Sequence, residues 1–468
     1  MFSQNNQNSH LHFFSNIIGE EYVFVDQETL QAHASDETED LKYFPDCVLK
    51  PGSTEEISKI LQYCNAHKIP VTTRGGGTGL SGAALPIHGG VVIAMSRFNK
   101  IIEIDERNLQ ATIEPGVITQ VFQEAVIEKG LFYPPDPSSR GTCFIGGNLA
   151  HCSGGPRAVK YGVTRDYVLD LEVVLANGDI IQTGAKVLKN STGYNLTQLF
   201  VGSEGTLGII TKVVFKLLPY PSMNKVLLAP FRSPDKACAA VSAIFRAGII
   251  PSALEFMERD AIDWTLKFRS DINLQIGPDE QAHLLIEVDG NDEETILKDI
   301  DKIVAVLEQF DCMDIHFAES EAQKTDIWKL RRSVAEAVKS NSTYKEEDTV
   351  VPRAELPVLL SGVKEIGKKY GFNTVCYGHA GDGNLHVNII KGNLTEEQWK
   401  NDVTLGIREI FKLVVDLGGT LSGEHGIGLV QQPYMNIKFP EIQLELMRKI
   451  KFAFDPEGIL NPGKIFCV

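Results

Sequence analysis

The stretch Ile69-Pro70-Val71-Thr72-Thr73-Arg74-Gly75-Gly76-Gly77-Thr78-Gly79 governs the reading of this chain, because a short apolar strand runs straight into a loop dominated by glycine. Backbone amides approach a pyrophosphate only where side chains do not intervene. Glycine also reaches the positive φ that turns successive N–H groups toward one anion. Within the loop, Gly77-Thr78-Gly79-Leu80-Ser81-Gly82 fits the G-x-G-x-x-G spacing of a nicotinamide site. That motif requires a helix immediately afterwards, and Pro86 and Gly89-Gly90 interrupt the following stretch within one or two turns. Taken alone, the loop reads equally well as a tight turn.

Upstream, residues 48–74 read as a strand, a Pro51-Gly52 turn, a helix and the strand just quoted. The helix opens on Ser53-Thr54-Glu55-Glu56, close to a capping box, and Ile57, Ile60, Leu61 and Cys64 form its buried stripe. Downstream come strand-like runs at 90–95 and 101–104, a helix-like stretch at 116–130, and runs at 168–175 and 180–183. The last two are joined by Asn177-Gly178, a strong hairpin signal. Two prolines within Leu218-Pro219-Tyr220-Pro221-Ser222 end the first domain. Beyond them, strands at 225–230 and 282–288 alternate with helical patterns at 234–247 and 292–309, as in a cap domain with a mixed, mainly antiparallel sheet. The fold class is α+β. The expected domains are residues 1–220, a cap at 221–425, and a segment at 426–468 whose rigid end, 454–464, returns to the first domain.

At 468 residues the chain exceeds the size at which one hydrophobic core stops growing, which also calls for two domains. Its 45 Lys and Arg against 61 Asp and Glu leave a net charge of −16, which disfavours nucleic acid and anionic membrane surfaces as partners. An anionic substrate must therefore meet locally placed cations. Eight cysteines, Cys47, Cys64, Cys143, Cys152, Cys238, Cys312, Cys376 and Cys467, form no C-x-x-C pair, which argues against iron–sulfur and zinc-ribbon modules and for reduced thiols. No basic and apolar leader is visible at the start, and no uncharged apolar run is long enough to span a bilayer. The expectation is a cytoplasmic protein without a transmembrane segment, with peripheral docking on a membrane or a partner protein left open, as is a homodimer.

A proline-rich loop, Pro134-Pro135-Asp136-Pro137-Ser138-Ser139, and further glycine-bearing loops follow the first: Gly146-Gly147-Asn148, Ser153-Gly154-Gly155 and Gly202-Ser203-Glu204-Gly205-Thr206-Leu207-Gly208. So many in one domain are hard to explain as ordinary connections. Together these blocks resemble the FAD-binding domain of the vanillyl-alcohol oxidase and p-cresol methylhydroxylase superfamily. From about residue 46 to 466 the chain resembles the branch of that superfamily formed by glycolate oxidase and D-lactate dehydrogenase. The resemblance implies that Arg74, Gly75, Gly76, Gly77, Thr78 and Gly79 cradle the FAD diphosphate together with Gly146, Gly147, Asn148, Ser153 and Gly154. It places Pro135, Asp136, Ser138 and Thr142 near the flavin, Gly205 and Ile210 near the adenosine portion, and Asn461 among the cofactor contacts. Relatives with covalent FAD carry a histidine near the end of the first loop. Thr78 stands there, which implies non-covalent FAD.

The run His379-Ala380-Gly381-Asp382-Gly383-Asn384-Leu385-His386 has too many glycines for a regular helix, so its histidines bracket a loop entering a strand at 385–390. Gly423-Glu424-His425-Gly426 repeats the pattern of an acid and a histidine in a glycine turn. Two imidazoles and a carboxylate are a common set for a divalent transition metal, although loop caps and surface histidines would give the same pattern. The resemblance implies His379, His386 and Glu424 as metal ligands and His425 as catalytic base. Zinc, manganese and iron all accept that set. A carboxylate substrate calls for a guanidinium, and Arg331 and Arg353 are the candidates. Related 2-hydroxyglutarate dehydrogenases carry a threonine and a lysine where this chain reads Ala335 and Glu346, so D-lactate or glycolate is favoured over D-2-hydroxyglutarate. The expected reaction is FAD-dependent oxidation of a small D-2-hydroxy acid to the 2-oxo acid. The electron acceptor stays open among a quinone, a cytochrome and a partner subunit, and a non-catalytic flavin subunit is the competing reading. The glycine loops and the histidine turns are expected to serve one isoalloxazine ring.

Overall fold

Ser53 starts the helix Thr54–His67 by local chemistry: its hydroxyl accepts from the Glu56 N–H at 3.2 Å, and the Glu56 carboxylate reaches back to the Gly52 N–H at 2.6 Å. In the computed structural model, which describes residues 7–38 and 41–466, Ile57, Ile60, Leu61 and Cys64 are fully buried along this helix. They pack against Cys47, Leu49, Val71, Val91 and Ile93. Those residues belong to a four-stranded sheet ordered Val23–Phe24, Cys47–Leu49, Val91–Ala94, Val71–Arg74, whose last three strands are parallel. All four residues of Val91–Ala94 are buried, as expected of a parallel strand covered on both faces. The expected Asn177-Gly178 hairpin pairs Val168–Val174 with Ile180–Gln182 in a second, five-stranded antiparallel sheet.

The chain forms two compact units. One contains the residues up to Gly154, Val163–Tyr220 and the chain from Glu424 onward, and the other contains Gly155–Gly162 and Pro221–Gly423. The division at Tyr220 lies in the proline linker. The return to the first unit begins at Glu424, two residues before the boundary expected from sequence, and the excursion Gly155–Gly162 has no counterpart in that reading. This octapeptide is held by ion pairs in the second unit. Lys160 and Tyr161 both engage the Asp289 carboxylate, and Arg157 lies 3.2 Å from Glu287.

The second unit is built on one seven-stranded sheet ordered His316–Phe317, Met223–Phe231, Ala282–Gly290, Ala253–Glu258, Asn373–Gly378, Asn384–Ile390, Tyr344–Val350. Every neighbouring pair in it is antiparallel, which corrects the expectation of a mixed cap sheet. The connection between Asn373–Gly378 and Asn384–Ile390 is too short for the crossover that a parallel pair requires. The parallel pairs lie in the first unit. Helices Arg259–Phe268, Glu321–Arg332 and Val334–Asn341 pack Ile262, Leu330 and Val338 on one face of the cap sheet, with Leu228, Leu285 and Tyr377 beneath.

After the helix Glu441–Phe454 the C-terminal segment runs beside the parallel sheet, where Leu460 bridges Val71. Buried Lys451 pairs with Asp455 and donates to the Thr206 and Leu460 carbonyls at 2.8 Å each.

Candidate active site

In the first unit, the loop after Val71–Arg74 lies against the segment that opens the helix Ile145–His151. A methyl group added at Gly75 would sit 3.5 Å from the Phe144 Cβ and 3.7 Å from the Gly147 amide nitrogen, and one at Gly76 would sit 2.6 Å from the Thr142 carbonyl oxygen. At Gly76 only glycine permits that approach, whereas the contact at Gly75 is ordinary van der Waals distance. Gly77 adopts φ +73°, the left-handed region. Gly146 packs on Pro115, whereas a Cβ at Gly147 would meet no atom within 4 Å, so an open space adjoins the glycine pair. At Gly79 the nearest group is the His151 Nε2, 3.7 Å from where a Cβ would be.

Several expected cofactor residues have other work in the structure. Arg74 donates through Nη2 to the Ser35 carbonyl at 2.8 Å, and its buried Nη1 has no hydrogen-bond partner among the described residues. Asn148 ties its helix to the Thr119 hydroxyl at 2.6 Å. Ser153 accepts from the Thr164 hydroxyl through its carbonyl, and the Gly154 amide donates to the Glu424 carboxylate at 3.2 Å. The Pro135 carbonyl accepts from Gln123, Asp136 is buried, Ser138 is exposed, and the Thr142 hydroxyl donates to the Ser139 carbonyl. Gly205 stands at φ +69° opposite Thr73, and Ile210 lies half-buried in the strand Ile209–Lys216. Asn461 spends its amide on the Ala83 and Glu204 carbonyls at 2.8 Å each, which makes it an anchor of the returning chain.

Sequence reasoning missed Glu204. Its buried carboxylate accepts from the Ile427 and Gly428 amides at 2.7 Å each, holding the turn that carries His425 on the first unit. Burial pushes this carboxyl above its ordinary value against the opposing pull of His151. The G-S-E-G-T loop was visible in the sequence, but its glycines pointed to a ligand rather than to a bond across more than two hundred residues.

In the second unit, the two histidines of the 379–386 loop meet. Gly383 at φ +78° lets the chain turn where any side chain would overlap the Val351 carbonyl, and the imidazoles of His379 and His386 lie with centroids 5.4 Å apart at 81°. The His379 Nδ1 is held 2.8 Å from Glu255 Oε2, and the same oxygen lies 2.7 Å from Arg331 Nη2. Burial alone would raise the Glu255 carboxyl. His379 and Arg331 outweigh it and hold the group below its ordinary value. The His386 Nδ1 faces Glu346 at 3.3 Å and Asp348 at 3.8 Å. Asp348 in turn accepts from the Asn384 amide, the Ser422 hydroxyl and the Gly423 N–H, fixing the turn that leads into Glu424.

The two arginine candidates separate here. Arg331 is buried beside Glu255, with its guanidinium over the Tyr377 ring and its Nε without a hydrogen-bond partner among the described residues. Arg353 stacks on Phe245 at 3.8 Å. Glu255 and Asp348 were not found from sequence, and Glu346 was read there only for its bearing on substrate choice, not as a partner of His386. Their only signal is a charge flanked by apolar residues inside a strand, as at Glu255 in Ala253–Glu258, or the acidic run Glu346-Glu347-Asp348.

Comparison with known proteins decides the family. Residues 220–465 match the model of the C-terminal domain of FAD linked oxidases, and residues 45–184 match the model of an FAD binding domain. The chain belongs to the FAD-linked oxidase family. It is 44% identical over 435 residues to the glycolate oxidase subunit GlcD of Bacillus subtilis, covering 93% of this chain and 92% of that one. It is 38% identical over 428 residues to a D-lactate dehydrogenase of Anaerostipes hadrus, covering 90% and 89%. Among solved structures, p-cresol methylhydroxylase shares the fold, with a TM-score of 0.81 at 19% identity, covering 99% of this chain and 97% of that one. This FAD-linked oxidase is thus an FAD-binding oxidoreductase. The open space at Gly147 and the buried, unpartnered Arg74 Nη1 fit an anionic cofactor. The donor set of the second unit fits a divalent ion: with Nδ1–H held by Glu255, His379 presents the lone pair of Nε2.

Proposed function

We propose that this FAD-linked oxidase converts a small D-2-hydroxy acid, D-lactate or glycolate, to the 2-oxo acid. The observation that carries the reading is Arg331, a buried guanidinium whose Nε has no hydrogen-bond partner among the described residues, paired through Glu255 with His379 of the His379–His386 pair. In an acidic protein a cation kept out of solvent in this way suits one planar anion, a substrate carboxylate. Arg353, stacked on Phe245, is the weaker candidate for that role.

His379, His386 and Glu424 would hold the divalent ion, zinc, manganese or iron. When bound, that ion supplies acidity to the substrate hydroxyl, as FAD supplies a hydride acceptor at N5. His425 takes the hydroxyl proton at an imidazole nitrogen, the general-base role that a positioned histidine most often fills. Arg331 fixes the carboxylate, so the carbon-bound hydrogen is presented in one orientation, which gives selectivity for one enantiomer.

A monocarboxylate is favoured over a 2-hydroxyglutarate. Glu346 lies 3.3 Å from His386 and would repel a second carboxylate, whereas neighbouring Lys345 is turned to the Trp399 ring. The naming of a relative as a subunit supports a partner protein as the electron acceptor.

The test is anaerobic addition of D-lactate or glycolate to the purified yellow protein, with metal content measured on the same sample. Bleaching of the visible flavin bands together with a bound divalent metal is expected. Persistent colour across a panel of 2-hydroxy acids would defeat the assignment.

A further inference from the structure

Glu255 occupies a position that neither the motifs nor the family resemblance assigns. It lies in the middle of the strand Ala253–Glu258, is fully buried, and offers its carboxylate to two cations or donors at once: His379 Nδ1 at 2.8 and 2.9 Å, and Arg331 Nη2 at 2.7 Å. A buried carboxylate without such partners would be expelled or protonated. Here the bridge has a directional consequence at each end. At His379 it selects the tautomer with the proton on Nδ1, so that Nε2 carries the lone pair, and its negative charge makes the imidazole a better donor to a cation. At Arg331 it sets a negative charge 2.7 Å from Nη2, an ion pair that holds the guanidinium in place while Nε has no hydrogen-bond partner among the described residues.

We infer that Glu255 is a positioning residue that couples the metal centre to the substrate-carboxylate clamp, setting the tautomer of His379 and the orientation of Arg331 through one carboxylate. The inference rests on the function proposed above. Its ligand-side meaning is specific: a 2-hydroxy acid presents a hydroxyl and a carboxylate on adjacent carbons, and Glu255 ties together the two protein groups that would read them.

The test uses the full-length FAD-loaded protein, stripped of metal and titrated calorimetrically with Zn²⁺ and Mn²⁺, alongside KM for D-lactate on the metal-loaded form. Glu255→Gln keeps the shape and an acceptor but removes the charge. It should weaken metal binding roughly 10- to 100-fold and raise KM, with FAD stoichiometry unchanged. Because Arg331 is left as an uncompensated buried cation in that variant, Glu255→Gln combined with Arg331→Met serves as the folding control, and metal binding should be weakened in it as well. A purely structural Glu255 would lower the melting temperature and leave metal affinity and KM at wild-type values, which overturns the inference. Failure of the wild-type protein to bind either metal would instead defeat the proposed metal centre, and the inference with it.

Discussion

His425 is the residue on which the proposed chemistry turns. Its turn is held by the Glu204 carboxylate through the Ile427 and Gly428 amides, so removing the imidazole need not disturb the backbone. His425→Ala should retain FAD and metal while the rate of flavin reduction falls by about 10²- to 10⁴-fold, the usual loss for a general base. Anaerobic stopped-flow absorbance measures this, and a wild-type rate would remove His425 from the role. Lys464 offers a pH test away from the site. Burial pushes its amine down to about 8, partly opposed by Glu204 and Asp36, while its Nζ donates to the Leu85 carbonyl at 2.6 Å. A base whose folded pKa is depressed binds fewer protons folded than unfolded between pH 8 and its ordinary 10.5, so stability from this group rises across that window. The gain is on the order of 3 kcal/mol. Lys464→Met should abolish the rise, as followed by denaturant midpoints from pH 7.5 upward. An unchanged profile in the variant would show that Lys464 is not the group titrating. The meeting of His379 and His386 was legible because glycines isolate the two histidines in one short loop. Glu255 and Glu204 were not, because their meaning lies in partners more than a hundred residues away.

At the scale of elements, the glycine pairs can be told apart by what a methyl group would meet. Gly76→Ala would force a Cβ to 2.6 Å from the Thr142 carbonyl and should lower both apo stability and FAD retention. Gly147→Ala meets no protein atom within 4 Å and sits in the helix Ile145–His151, where alanine is favoured over glycine by up to about 1 kcal/mol. It should leave the apo melting temperature equal or higher while FAD affinity falls, since the proposed diphosphate site is the open space that the added methyl group enters. Fluorescence titration of the apoprotein with FAD, beside its melting curve, distinguishes the two variants. Undiminished affinity in Gly147→Ala would move the diphosphate elsewhere. Helix starts such as Ser53 and the Asn177-Gly178 hairpin were readable because their signals are local. The cap sheet's uniform antiparallel order and the Gly155–Gly162 excursion were not, since strand pairing and the ion pairs of Lys160 and Arg157 join distant segments.

For the molecule as a whole, a net charge of −16 offers no general attraction to an anionic substrate, so recognition has to be local. Membership of the FAD-linked oxidases, with an FAD binding domain matched at residues 45–184, accounts for the cofactor. Among the described residues no helix is long and apolar enough to cross a membrane. The central claim, a buried-arginine and histidine site that delivers the C2 hydrogen of a 2-hydroxy acid to bound FAD, is tested most directly by anaerobic stopped-flow reduction with D-lactate, L-lactate and D-lactate deuterated at C2. Rapid bleaching with the D-enantiomer, a several-fold slower rate with the deuterated acid, and little reduction with the L-enantiomer are predicted. A flavin that stays oxidised with D-lactate and glycolate alike, or that is reduced at a rate indifferent to deuterium and to hand, would contradict it.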